Sequence, residues 1–291
     1  MSWLQFNLGR VPQLNLGQVS QLNQGRVPQL NLGQVPAGAD WHSHSVQPCT
    51  RFEGVTQTIW IGDVHGCARE LTDLLDLIGP AQDDKVVFVG DLVARGPDTK
   101  GVLRIARQLH ASCVRGNHEH RLIVARQTKL RGQKPPRLGP SHKELLDTLD
   151  DEEWAQLEAL PLSLEFPEHD IRVVHAGVAP GVPLKAQQAW TLMHVRSLTK
   201  WGAPSDRYTS ESWAAAYREG PHIVFGHNAQ AGLQLHPLAT GLDTACVYGG
   251  RLSALVLPAG VSPAPPQERH SSIVSVPSRK RYVDYGPRPQ A

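Results

Sequence analysis

Five short motifs in this 291-residue chain carry side chains that could hold metal ions. They are Gly62-Asp63-Val64-His65-Gly66, Gly90-Asp91-Leu92-Val93-Ala94-Arg95-Gly96, Gly116-Asn117-His118-Glu119, His175-Ala176-Gly177 and Gly226-His227. Carboxylate oxygen, imidazole nitrogen and amide oxygen together suit divalent ions of the manganese, iron or zinc type. Magnesium and calcium prefer sites made of oxygen alone. The chain's 14 histidines supply ample imidazole for such a site. Taken singly, each fragment has a plainer explanation. An Asp at a strand end caps a turn, and a lone His is a satisfied polar residue. Their number and their common place in the local pattern make the difference.

That pattern alternates strand and helix. Residues 57–63 (QTIWIGD) and 85–90 (KVVFVG) are short apolar runs, rich in β-branched residues, and read as buried strands. Between them, Leu71, Leu74, Leu75 and Ile78 recur at helical spacing within residues 69–78. A second helix over 99–109 leads to a short strand at 112–115, and a third helix starts near Glu119. The βαβαβ order implies a parallel sheet with helices packed on it. Further strands follow at 171–175 (IRVVH), at 222–227 (HIVFGH) and in a run from Leu233 to Leu257, while residues 126–140 read as a surface loop. Loops at the carboxyl ends of parallel strands converge on one edge, where ligands bind. Asp63, His65, Asp91, Asn117, His175 and His227 are therefore expected to face one another.

The two ends differ from this middle. Residues 5–36 are four tandem octads, QFNLGRVP, QLNLGQVS, QLNQGRVP and QLNLGQVP, in which a Gly every eight residues breaks helix and strand alike. We read residues 1–54 as a disordered leader and residues 259–291, which are rich in proline, as a flexible tail. The domain that does chemistry is then 55–258. The net charge of +2 hides an uneven distribution. Arg10, Arg26 and Arg51 precede Gly54, and Arg269, Arg279, Lys280, Arg281 and Arg288 follow Pro258. The middle keeps 21 basic residues against 23 acidic ones, which is no footprint for nucleic acid. No run of about 18 apolar residues is present, so no membrane helix is expected. The four widely spaced cysteines include no CxxC and suggest neither a disulfide scaffold nor a thiolate zinc site, so a reducing cytoplasm is the expected location.

In this order, the motifs GDxHG, GDxVxRG, GNHE, HAG and GH resemble the signature of the calcineurin-like metallophosphoesterases, in the form used by phosphoprotein phosphatases. Residues 232–258, with HAGVAPGVPL at 175–184 and MHVRSL at 193–198, resemble the ApaH-like branch and the bacterial diadenosine tetraphosphate hydrolases. The resemblance implies an α/β fold of α+β type, a β-sandwich flanked by helices, with two divalent transition-metal ions at the carboxyl ends of strands. Manganese is the expected ion, with iron, zinc or cobalt as alternatives. Asp63, His65 and Asp91 would hold one ion, and Asp91, Asn117, His175 and His227 the other. A hydroxide bridging the ions would attack phosphorus in line. His118 would protonate the leaving oxygen, with Glu119 holding its ring, while Arg95, Arg196 and Asn117 would contact the phosphate. Asp243 and Tyr248 are expected near the site, without assigned chemistry. The chain departs from the protein-phosphatase branch at Ala94, where that branch has an Asp paired with the general acid, and in lacking a SAPNY-like segment. The implied substrate is therefore a nucleoside polyphosphate or polyphosphate. A phosphoprotein, or a silent scaffold role, is the alternative.

Overall fold

The computed structural model describes residues 55–209 and 211–285. The octad leader lies outside them. Two five-stranded sheets carry the architecture. The first contains β1 (Gln57–Ile61), β2 (Lys85–Phe88), β3 (Ser112–Cys113), β11 (Arg251–Pro258) and β12 (Ile273–Pro277), in the order β12-β11-β1-β2-β3. The second contains β4 (Ser163–Phe166), β5 (Ile171–Val174), β8 (His222–Phe225), β9 (Gln234–His236) and β10 (Ala239–Gly241), in the order β4-β5-β8-β10-β9. Three neighbouring strands of each sheet run parallel: β1, β2 and β3 in one, β5, β8 and β10 in the other. A two-stranded ribbon, β6 (Ser197–Leu198) and β7 (Pro204–Ser205), stands apart.

The alternation of side chains explains why these strands read as continuously apolar. Trp60, Val87, Leu255 and Leu257 point inward and meet Phe166, Ile171, Val173 and Val224 of the facing sheet. Their neighbours Ile59, Ile61, Val86 and Phe88 point outward and pack under helices. Each strand is thus buried on both faces, as in a sandwich covered by helices. The helices over the first sheet are α1 (Ala68–Ile78), α2 (Thr99–Gln108), α3 (Asn117–Leu130), α4 (Pro140–Thr148) and α5 (Asp151–Glu158). Leu71, Leu74 and Ile78 of α1 are buried as their spacing requires, with Leu75 partly so. Over the second sheet lie α6 (Ala189–His194) and α7 (Trp213–Ala216), which bury Leu192, Trp213 and Ala214 on Ile223 and Phe225. Among the described residues no helix is long and apolar enough to cross a membrane.

Three local expectations are corrected. Residues 126–130 continue α3 rather than opening a loop. Helix α3 also starts at Asn117, two residues before Glu119, so that Asn117 occupies its first turn. The larger correction concerns the segment from 259 onward. It is built into the fold through residue 285: α8 (Pro266–Arg269) is followed by β12, which pairs antiparallel with β11 and buries Val274 and Val276. The period-two apolar pattern at 273–276 was masked by the surrounding prolines. Arg269 ties the segment down. Its fully buried guanidinium donates to the carbonyls of Ala264 (2.9 Å), His236 (2.9 Å) and Ala239 (3.1 Å) and to Thr240 Oγ1 (3.0 Å). Replacing Arg269 with Ala leaves these buried acceptors unpaired and should cost about 2–3 kcal/mol in urea unfolding. A change below about 0.5 kcal/mol, the range of ordinary surface substitutions, would show that the segment does not anchor the sandwich.

Candidate metal centre

Strands β1 and β2 lie side by side in register, with Ile61 opposite Phe88, so the turns that follow them are adjacent. Those turns are tight. His65 (φ 47°), Asp91 (φ 50°) and His227 (φ 68°) all sit in the left-handed region, as do Ala94 and Arg95. Non-glycine residues are uncommon there, and such strain gathers where surrounding contacts over-determine the backbone. Here the contacts are visible. His65 N–H donates to Asp91 O (2.8 Å), Gly66 N–H to Leu92 O (2.8 Å) and Gly96 N–H to His65 O (2.8 Å), lacing the first two motif loops together. His227 N–H points at both carboxylate oxygens of Asp63 (3.1 Å each). A Cβ at Gly226 would run into Asp63 Oδ1, and one at Gly116 into Asp91 Oδ1, which is why glycine stands at both places.

Five of the six expected ligands come together, with Asp91 at their centre. Its Oδ2 lies 3.5 Å from His65 Nε2 and 3.4 Å from His175 Nε2, while its Oδ1 accepts from His118 N–H (3.0 Å). Two clusters with ring or carboxylate atoms within 4.8 Å of one another share it: His65, Asp91 and His118, and Asp91, His175 and His227. Asn117 Oδ1 joins the second cluster, 3.0 Å from His175 Nε2. Asp63 falls outside both clusters but is held at their edge by His227 N–H.

The donor set fits metal ions, as the imidazole tautomers show. His65 Nδ1 faces the Val93 carbonyl (3.1 Å), His175 Nδ1 the Val89 carbonyl (2.9 Å) and His227 Nε2 the His194 carbonyl (3.2 Å). A carbonyl can only accept, so each of these nitrogens carries the proton. The opposite nitrogen of each ring is left for coordination, the arrangement by which outer partners orient metal-binding histidines.

Electrostatics divide the site. Burial, with the Arg95 charge, lowers His65 to about 3. Burial, with His175 and Arg196, likewise holds His227 well below the usual imidazole range. Asp91 is the exception: burial works against its charge, yet His175, His118 and His65 together hold it well below the usual carboxylate range. His175 is its counterpart, opposed by burial but raised to about 10 by the Asp91 and Asp63 charges. Burial and Asp243 push Asp63 up. Asp243 itself is raised to about 6 by burial, with the Asp91 charge pushing the same way.

Other roles differ from expectation. Glu119 does not hold the His118 ring. Its carboxylate accepts from the backbone N–H groups of Asp91 (3.0 Å), Val93 (3.2 Å) and Gly116 (2.9 Å), fixing the loop that carries Asp91. His118 Nδ1 is buried and makes no hydrogen bond among the described residues. The ring stacks instead on His142 of α4 (4.8 Å, 30°), a residue with no motif around it to mark it beforehand. Arg95 Nη1 lies 3.1 Å from His65 Nε2, and its guanidinium lies 5.3 Å from the Tyr248 ring. Arg196 donates to the Asp206 carbonyl (3.1 Å) and lies over Tyr208 (4.9 Å), within electrostatic reach of His227.

These charges set a pH dependence for metal binding. With its raised value of about 10, His175 carries a proton on Nε2 in the metal-free protein at neutral pH, and coordination must displace it. His65 is already neutral there and releases none. Affinity should therefore rise at least tenfold per pH unit from pH 6 to 8, with proton uptake by buffer seen in calorimetry. A flat profile would contradict the Asp91–His175 pairing.

Residues 57–256 match the family described as calcineurin-like phosphoesterase. The asymmetrical bis(5'-nucleosyl)-tetraphosphatase PrpE of Halalkalibacterium halodurans is 28% identical over 248 residues, covering 77% of this chain and 94% of the relative. A symmetrical bis(5'-nucleosyl)-tetraphosphatase of Shewanella baltica is 40% identical over 128 residues, covering 42% of this chain and 44% of the relative. Among solved structures, a candidate diadenosine tetraphosphatase superposes with a TM-score of 0.66 at 35% identity, covering 78% of this chain and 95% of that one. The chain belongs to the calcineurin-like phosphoesterase family.

Proposed function

We propose that this protein is a metal-dependent hydrolase that cleaves the phosphoanhydride of dinucleoside tetraphosphates and related nucleoside polyphosphates. In this reading Asp63, His65 and Asp91 hold one divalent ion, manganese by preference, and Asp91, Asn117, His175 and His227 hold the second. Bound there, the ions would supply an activated water and a clamp on the phosphoryl oxygens. The protein's own contribution is positioning and charge. Arg95 and Arg196 offer planar guanidinium groups to phosphoryl oxygens, and the Asn117 amide is the third group offered to the phosphate. His118 offers a proton to the leaving oxygen.

One observation carries the substrate class: position 94 supplies no carboxylate to hydrogen-bond the His118 ring. Ala94 is a buried methyl, and His118 Nδ1 is unbonded among the described residues. Burial holds its basicity well below the usual imidazole range. Such a group is a poor source of the proton that a serine alkoxide demands on leaving. A nucleotide leaving from an anhydride is already a stable anion and needs that proton little. The names of the relatives, both of which specify a tetraphosphatase, support the same reading.

The test is a matched panel with products resolved by chromatography. The kcat/KM for diadenosine tetraphosphate should exceed that for phosphoserine peptides at least tenfold, about 1.4 kcal/mol in transition-state stabilisation. Ala94→Asp should narrow the gap by helping the peptides more. Asp tolerates the left-handed backbone at this position (φ 66°) better than most residues. A wild-type preference for phosphopeptides would overturn the reading.

A further inference from the structure

We propose that Tyr208, Tyr248 and Tyr285 form an aromatic wall that stacks against the nucleoside of the substrate, each end of the wall tied to the metal centre by an arginine. The proposal rests on the nucleoside polyphosphate reading above and extends it from the phosphates to the base. Tyr248 and Tyr285 are parallel, with centroids 4.0 Å apart and an interplanar angle of 11°. Arg95 joins this pair to the site, its guanidinium 5.3 Å from the Tyr248 ring and its Nη1 3.1 Å from His65 Nε2. Arg196 repeats the arrangement at the other end, 4.9 Å from Tyr208 and two residues along from the His194 carbonyl that accepts from His227 Nε2 (3.2 Å). Tyr208 lies within electrostatic reach of both Tyr248 and Tyr285, so the three phenols share one neighbourhood.

Two features argue for a ligand with a flat, neutral ring. Tyr208 and Tyr285 are 40% and 41% exposed, so each leaves aromatic surface open to a ligand. Burial raises both Tyr248 and Tyr285, so their rings stay uncharged at working pH and present apolar faces. An inorganic polyphosphate has nothing to place against such faces. A nucleobase does, and stacking on an aromatic side chain suits any base because every base has a π-face. The arginines then sit where the attached phosphates must begin.

The fold also goes to some length to deliver Tyr285. After β12, Ser278 N–H donates to Gly250 O (2.8 Å) and Tyr282 N–H to Val247 O (3.0 Å). Tyr282 OH reaches Glu70 Oε1 (2.9 Å), and the Arg279 guanidinium clasps Asp73 through Nε (3.0 Å) and Nη2 (2.7 Å). The chain is thereby pinned across α1 and carried to the site's edge. This gives the C-terminal segment a purpose that a plain tail would lack.

The experiment compares two non-hydrolysable probes on the full-length, manganese-loaded protein by calorimetry: α,β-methylene-ADP and methylenediphosphonate. They differ in the nucleoside, and the diphosphonate carries the greater charge, so electrostatics alone would favour it. The nucleotide analogue should nonetheless bind at least tenfold more tightly. Tyr285→Ala, which removes a largely exposed ring, should close most of that gap, and Tyr285→Phe should keep it within about twofold of wild type. Equal affinities in the wild type, or a gap that survives Tyr285→Ala, would overturn the proposal. If diadenosine tetraphosphate is not hydrolysed but the gap is present and closes with Tyr285→Ala, the assigned reaction fails while nucleoside recognition stands.

Discussion

A single buried carboxylate, Asp91, organises the centre. Burial alone would make its charge costly, and the structure offsets that cost with imidazoles on two sides and a backbone N–H on a third. The offset works only if His65, His175 and His118 all arrive at one point, two of them from loops that follow strands and His118 from the first turn of α3. Everything around Asp91 serves that convergence. Glu119, buried and raised to about 7 by burial and by Asp91 itself, spends its oxygens on three backbone N–H groups of the same loops. A carboxylate used in this way is a brace for the backbone, and it explains how Asp91 can be held with a positive φ.

The sandwich supplies the rest of the constraint. Adjacent parallel strands put the Asp63 and Asp91 turns next to each other, and the pairing of β5 with β8 does the same for His175 and His227. The inner core of Trp60, Val87, Val173 and Val224 joins the two sheets, so the four loops are fixed relative to one another by side-chain packing rather than by the loops themselves. Glycines at 116 and 226 then let the strands approach the carboxylates more closely than any side chain would permit. Rigidity in the core and strain in the turns are two sides of one arrangement.

Much of this could be read from the residues, and the physical reason is locality. A ligand at a strand end must follow a glycine turn, so strand, glycine and ligand appear together as a short motif, as at 62–66 and 90–96. Helix α1 was equally legible because its buried face is periodic. What escaped depends on distant partners. His142 sits on a short helix with no local mark, and only the fold stacks it on His118. The role of Glu119 turns on N–H groups from residues 91 and 93, more than twenty positions upstream. The strand β12 was hidden by prolines on both sides, and Tyr285 gains meaning only from its partner across the chain, Tyr248.

The reading proposed for the centre makes Asp91 a ligand that two metal ions would share, and its place in both side-chain clusters supports that reading. The most direct measurement is manganese stoichiometry by equilibrium dialysis, combined with electron paramagnetic resonance of the loaded protein. Two ions per chain with an exchange-coupled dimanganese spectrum are expected, and loss of that coupling in Asp91→Asn. One ion per chain, or two ions whose coupling survives Asp91→Asn, would contradict it.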